Sequence, residues 1–319
     1  MCTRTLSDDD SSSEPDIRLR SYFSQNRSAL QILLSMNHDE KSVDEMLRIG
    51  RRKYEENNKQ LDCLNALKEY NPADAIKNYT ATTFLFRIVN ETLRTEDIKE
   101  IFPFRVYISD LHKALGNGTG RKPSFIVYRG KKLSASVLQH LIDDQDGLIT
   151  MNGFLSTSLK NNFALAYAGN NQDGYGDDRS VIFEFQINSM MKQLFADVSC
   201  ESKIPDDEEF LFSIGVIWHI VSTRCEDIGW RIILQSCDKL DVRVNKIHQQ
   251  CTRRGCNLLS LGDILQDLGD NFGAESLYEQ MLEQNCLSDE IRGILHCKIG
   301  LIQKEKNPID LLLNICKKL

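Results

Sequence analysis

The sequence predicts an α+β fold, and three observations carry that prediction. Apolar residues recur at helix spacing from Arg18 to Leu115. Short runs rich in β-branched and aromatic residues take over from Phe125 to Leu234. Helical spacing returns after Thr252. Helices grouped before and after a block of strands indicate α+β, whereas strict alternation would indicate a parallel α/β sheet.

Residues Met1 to Pro15 are polar and acidic and are expected to be disordered, since they hold little apolar surface to bury. Leu30, Ile32, Leu33 and Leu34 open the first apolar stripe, and Val43, Met46, Leu47 and Ile49 continue it. Asn71-Pro72-Ala73 pairs a cap residue with Pro at the first helical position. Phe84, Leu85, Ile88, Val89 and Leu93 share one face of a further helix, and Asp97 to Leu115 forms another. Gly116-Asn117-Gly118-Thr119-Gly120 follows a helix and precedes a strand. A dinucleotide fingerprint needs the reverse order, so this stretch reads as a linker.

The expected strands are Phe125–Gly130, the stretch Leu148–Ser158, Ser180–Ile187, one run from Phe210 to Val221, and Trp230–Leu234. A short helix is expected over Asn162–Ala168, followed by a polar loop, Gly169–Arg179. Asp238 to Gln250 reads as a connector.

The 319 residues suffice for two domains, and a 41% hydrophobic composition supports a sizeable core. Lys plus Arg is 39 and Asp plus Glu is 46, a net charge of −7. That balance argues against nucleic acid as the main partner. No apolar run approaches the ~20 residues of a membrane helix. Met1-Cys2-Thr3-Arg4 opens no secretory signal, and Leu311–Cys316 is too short for a lipid-anchor tail. A cytoplasmic protein without a membrane partner is therefore expected, with its ten cysteines reduced. His248, Cys251 and Cys256 cluster but lack a fourth ligand, so no metal site is expected.

Three motifs fall at strand ends: Tyr128-Arg129-Gly130, Ser156-Thr157-Ser158, and the acidic run Asp206-Asp207-Glu208-Glu209. Alone, each has an ordinary explanation. An Arg before Gly is commonly a solvated turn cation, Ser-Thr-Ser suits an edge strand, and charges beside an apolar strand act as gatekeepers. Their co-occurrence in this order is what those explanations do not predict. If the acidic run leads into the strand, Asp207 and Glu209 share one face and Glu208 takes the other.

From Asn71 to Cys237 the chain resembles the Arg-Ser-Glu class of mono-ADP-ribosyltransferases. Gly153-Phe154-Leu155-Ser156-Thr157-Ser158 is the most specific piece. Lys77-Asn78-Tyr79-Thr80, the segment Phe84–Arg94, and Phe195-Ala196-Asp197-Val198 before the acidic run support it. The resemblance implies a helical N-terminal lobe and a two-sheet β core. It implies NAD⁺, or NADP⁺, as a co-substrate and not a bound cofactor. Arg129 would hold the NAD⁺ phosphates and ribose, through a guanidinium fork suited to phosphate oxygens. Ser156 would position the catalytic carboxylate Glu209, which would stabilise an oxocarbenium-like cation as nicotinamide leaves. Gly130, Tyr79 and Ser202 are further candidates for NAD⁺ contact. The loop Gly169–Arg179 would close over the nucleotide, and Phe195–Asp206 would face the acceptor protein.

Arginine-specific members carry Glu-x-Glu, and here the first acid is Asp207. An acceptor arginine, with a pKa above ~12, needs a nearby carboxylate to become nucleophilic. Asp207 is the candidate, one methylene shorter, and Asp206 or Glu208 takes its place if the loop register differs. The expected partner is an acceptor protein with an exposed arginine. The rivals are an NAD⁺ glycohydrolase and a catalytically inactive adaptor.

Leu261-Gly262, Gly269, Ala274 and Tyr278 fall at the spacing of a tetratricopeptide repeat, with helices at about Leu258–Leu268 and Phe272–Gln284. Ile299-Gly300 opens a partial second unit, whereas an independent array needs at least ~3. This piece is expected to dock on the transferase or to represent a cut-short array, with its helices open to a protein partner. The combination resembles the rotifer-like animal form of the family, in which the transferase is fused to such repeats. The expected organisation is a transferase domain at 16–237 (helical lobe 16–115, β-rich core 121–237), a connector at 238–254, and tetratricopeptide-like helices at 255–319.

Overall fold

The structure is a computed structural model that describes residues 17–19, 30, 33–34, 40–55, 57–67, 70–81, 83–95, 97–116, 124–169, 177–189, 191, 194–201, 206, 208–237, 258–267, 271–282 and 288–306. The terminus before Pro15, the Gly116–Gly120 linker beyond Gly116, the connector and the His248–Cys256 cluster lie outside the described residues.

Helices α1 (Glu40–Lys53), α2 (Asn58–Ala66), α3 (Ala75–Ala81), α4 (Thr83–Thr95), α5 (Ile98–Ile101) and α6 (Arg105–Gly116) form an N-terminal layer. The Asn71 side chain accepts from Ala73 N at 3.0 Å and caps the 3₁₀ turn that leads into α3. Leu85, Ile88, Val89 and Leu93 of α4 are buried, as their spacing predicts. Arg105 pins α6 to α1, with Nη1 2.7 Å from Glu45 Oε2 and Nη2 2.9 Å from Ser42 Oγ.

The strands are β1 (Ile17–Leu19), β2 (Phe125–Ser134), β3 (Leu148–Met151), β4 (Leu155–Ser158), β5 (Asp178–Ile187), β6 (Phe195–Asp197), β7 (Glu209–Phe212), β8 (Ile217–Glu226) and β9 (Gly229–Ser236). Two further helices, α7 (Ala135–Asp143) and α8 (Asn161–Ala168), lie among them. Sequence periodicity does not anticipate α7, which the Ser134 side chain caps by accepting from Val137 N at 3.4 Å.

Three expectations are corrected. The strands do not form two separate sheets. Among the described residues their order is continuous, β1-β3-β8-β9-β5-β2-β4-β7-β6. The six-stranded portion meets the three-stranded portion, β4-β7-β6, through one residue pair, Tyr128 with Ser158. Next, the apolar run Phe210–Val221 is two strands. Gly215, at φ +75°, turns the chain between β7 and β8. Finally, the N-terminal lobe is not wholly helical, because β1 pairs antiparallel with β3.

Strand alternation makes both faces of the three-stranded portion apolar. Leu155, Phe195, Phe210 and Phe212 join the core of the large sheet with Trp218. Leu211 and Ala196, on the other face, join the core of the N-terminal helices. Glu209 shares the face of Leu211, so its carboxylate starts a strand enclosed on both sides.

The C-terminal helices are α9 (Leu258–Asp267), α10 (Asn271–Leu282) and α11 (Asp289–Lys306). A Cβ at Gly262 would collide with the Tyr278 ring, and Tyr278 OH donates to Asp263 Oδ1 at 2.7 Å. Leu265, Ala274, Leu277, Tyr278 and Ile302 belong to the same apolar core as the N-terminal layer, with α10 against α5. No helix among the described residues is long and apolar enough to cross a membrane.

Candidate active site

Glu209 is 3% exposed at the first position of β7. Its partner across the ladder is Ser158, and Ser156 faces Leu211. Ser156 and Glu209 thus lie on one face along a diagonal. The Ser156 hydroxyl donates to Glu209 Oε1 at 2.5 Å. Such a charge-assisted bond fixes the carboxylate.

Arg129 lies on β2 next to Tyr128, the residue that joins the two portions of the sheet. Its Nη1 donates to the Ser156 carbonyl oxygen at 3.1 Å. The bond spans the joint. Ser156 therefore holds both groups, Arg129 through its backbone and Glu209 through its hydroxyl. A cation and a carboxylate meet one serine from opposite sides of the seam, an arrangement suited to a substrate with a phosphate at one end and developing positive charge at the other.

Gly130 lies beneath α8, where a Cβ would collide with the Ala164 carbonyl. The close approach of helix to strand accounts for glycine there without a ligand.

Tyr79, expected as a ligand contact, lies on α3. It is 1% exposed in the helical core, packed against Phe86 and Phe154 at ring separations of 5.3 and 5.6 Å. Its hydroxyl accepts from Asn90 Nδ2 at 2.6 Å. A ring so enclosed has no surface left for a nucleotide.

Asn90 is the site-supporting residue that sequence reasoning misses. Its Oδ1 accepts from Phe154 N at 3.1 Å. Gly153 has φ +141°, and a Cβ on it would collide with Asn90 Oδ1. One buried amide thereby links Tyr79 on α3 to the entry of β4, two residues before Ser156. Thr80 makes a parallel tie, its hydroxyl donating to the Glu201 carbonyl at 2.7 Å in the loop after β6. Asn90 shares its helix with the buried polar residues Thr92 and Arg94, so nothing in the spacing singles it out.

Ser202 and Asp207 lie outside the described residues. Glu208 is described, and its φ of +47° shows that strand alternation does not extend back through the acidic run. Val198 N donates to the Glu209 carbonyl at 2.9 Å, which fastens the loop after β6 to the head of β7.

No protein-family model matches the chain, and no curated protein matches it. Several solved structures are similar to it. Plx2a, an ADP-ribosyltransferase toxin from Paenibacillus larvae, is 20% identical with a TM-score of 0.42, over 61% of this chain and 96% of its own. Vis toxin, an ADP-ribosyltransferase from Vibrio splendidus, is 18% identical with a TM-score of 0.43, over 66% of this chain and 91% of its own. C3stau2 from S. aureus, solved with NAD, is 17% identical with a TM-score of 0.40, over 55% and 92%.

Proposed function

We propose that the chain is a mono-ADP-ribosyltransferase that cleaves NAD⁺ and transfers ADP-ribose to an arginine side chain of a protein. The observation that supports this most is the Arg129–Ser156–Glu209 chain of hydrogen bonds, formed by the three residues that the motif order singles out.

In this reading, Arg129 orients the NAD⁺ pyrophosphate and ribose. Glu209, steadied by the Ser156 hydroxyl, takes a hydrogen bond from a ribose hydroxyl. As the bond from C1′ to the nicotinamide nitrogen breaks, its electron pair neutralises the pyridinium. The positive charge that develops on the ribose faces a carboxylate already in place, which needs no reorganisation. A guanidine nitrogen of the acceptor then bonds to C1′ and loses a proton to Asp207. NAD⁺ is a consumed co-substrate here, and the chemistry calls on no metal.

The same proposal assigns residues 16–237 to the transferase and 255–319 to tetratricopeptide-like helices. The Gly262–Tyr278 packing supports the second assignment.

Radiolabelled NAD⁺ with an arginine-containing protein tests the function. The expected result is label on protein, lost on treatment that cleaves arginine glycosides and absent with Glu209→Gln. Free ADP-ribose with no protein label would replace the proposal with an NAD⁺ glycohydrolase. Intact NAD⁺ with the wild-type chain would leave only the adaptor reading.

A further inference from the structure

We infer that Lys160 is a positioning residue that clamps the acidic turn before Glu209 and sets how the acceptor is presented; the inference rests on the transferase reading. Lys160 follows β4 and precedes α8, at the helix N-cap position, but its side chain is not used as a cap. Its Nζ donates to the Asp206 carbonyl at 2.6 Å and lies 3.2 Å from Glu208 Oε1. One ammonium thus holds the chain on both sides of residue 207.

The base of the clamp is fixed. Lys160 N donates to Ser158 Oγ at 3.0 Å, and Ser158 is the ladder partner of Glu209. Leu159 N donates to the Glu208 carbonyl at 3.3 Å. The clamp and the carboxylate it adjoins are therefore referred to the same strand pair.

The turn needs holding for two reasons. Asp206 to Glu209 are four consecutive acids, whose mutual repulsion favours an extended loop. Glu208 also stands at φ +47°, a region a side chain larger than Asn enters only when its surroundings require it. Lys160 meets both needs, and it engages the Glu208 carboxylate, which then is not free to serve the acceptor.

Lys160 and Glu208 are 39% and 49% exposed, and pairs so exposed add little to stability. A variant is expected to fold, so any loss reads on geometry. The bonds of Arg129 and Glu209 to Ser156 do not pass through Lys160. Its loss should spare NAD⁺ binding and impair acceptor use.

The test compares the full wild-type chain with Lys160→Met and Lys160→Arg. Hydrogen exchange is followed over residues 198–209. With NAD⁺ and agmatine, transfer and hydrolysis rates are measured together. For Lys160→Met, exchange in that segment should rise several-fold and the transfer-to-hydrolysis ratio should fall about tenfold. The KM for NAD⁺ should stay within about twofold, and Lys160→Arg should recover most of both losses. Unchanged exchange, or an equal fall in transfer and hydrolysis, overturns the clamp. A wild-type chain that leaves NAD⁺ intact sinks the transferase reading instead, and the exchange measurement still decides whether Lys160 holds the turn.

Discussion

Ser156 and Glu209 are diagonal neighbours in the β4–β7 pair, joined at 2.5 Å although neither is the other's ladder partner. The diagonal leaves Ser158 opposite Glu209 and lets one serine orient the carboxylate while the other anchors Lys160. Removing the Ser156 hydroxyl should therefore change catalysis more than folding. Ser156→Ala is expected to lower kcat for NAD⁺ cleavage about ten- to hundredfold, and Glu209→Gln by at least about a hundredfold. Thermal midpoints measured alongside should move by only a few degrees. Wild-type turnover in Glu209→Gln would remove the carboxylate from the mechanism.

Arg129 acts through a planar fork, one arm of which is committed to the Ser156 carbonyl. Lysine keeps the charge but cannot hold the carbonyl and a phosphate in fixed directions. Arg129→Lys should raise the KM for NAD⁺ roughly tenfold or more, with a smaller effect on kcat. Isothermal titration with NAD⁺ would check the binding term directly.

Asn90 supports the site from the helical layer. Asn90→Leu should cost about 1–3 kcal/mol, since it removes the acceptor of Phe154 N and a donor to the Tyr79 hydroxyl in the interior. Gly153→Ala should be destabilising as well, from its collision with Asn90 and its φ of +141°. Urea denaturation of each variant tests this, and if both match wild type the network is not structural.

His112 on α6 carries a pH dependence. Its Nδ1 lies 2.6 Å from Ser213 Oγ, in the turn after β7. Burial, and then the charge of Lys113, push the imidazole down from 6.5 to about 4. Between those values the unfolded chain binds a proton that the folded chain does not. The contribution to stability is therefore complete above pH ~6.5 and is lost as pH falls toward 4. His112→Asn should flatten that stretch of the curve. Urea midpoints at pH 7.5 and 5 decide it; equal slopes in both proteins would exclude His112 as the source.

Much of the fold was legible because burial leaves a period. The α4 face and the Phe125 and Ser180 strands read directly from apolar spacing. The break between β7 and β8 was hidden, because Phe210–Ile220 is apolar apart from Ser213, Gly215 and His219, and only Ser213 and Gly215 mark the turn. Strand β1 alternates apolar and charged residues over too short a stretch to be read alone and is defined by pairing with β3, more than a hundred residues away. Within the site, the motif order named Arg129, Ser156 and Glu209, and the structure brings them together. Tyr79, Asn90 and Lys160 could not be placed from spacing, because their partners are distant in sequence and a short polar contact leaves no period.

Among the described residues the joint between the two portions of the sheet is a single residue pair, Tyr128 with Ser158, and the candidate site straddles it. Arg129 belongs to the long β2–β5 ladder, whereas Ser156 and Glu209 belong to the short three-stranded portion. A one-pair seam resists rotation poorly, so the strands by themselves leave the separation of cation and carboxylate soft. The helical layer adds to the packing of Leu155, Phe195, Phe210 and Phe212 against the large sheet, because Asn90 and Thr80 brace the short portion from outside the sheet. Packing changes far from Ser156, anywhere along α3 or α4, can therefore retune the span between Arg129 and Glu209 without altering a residue of the site.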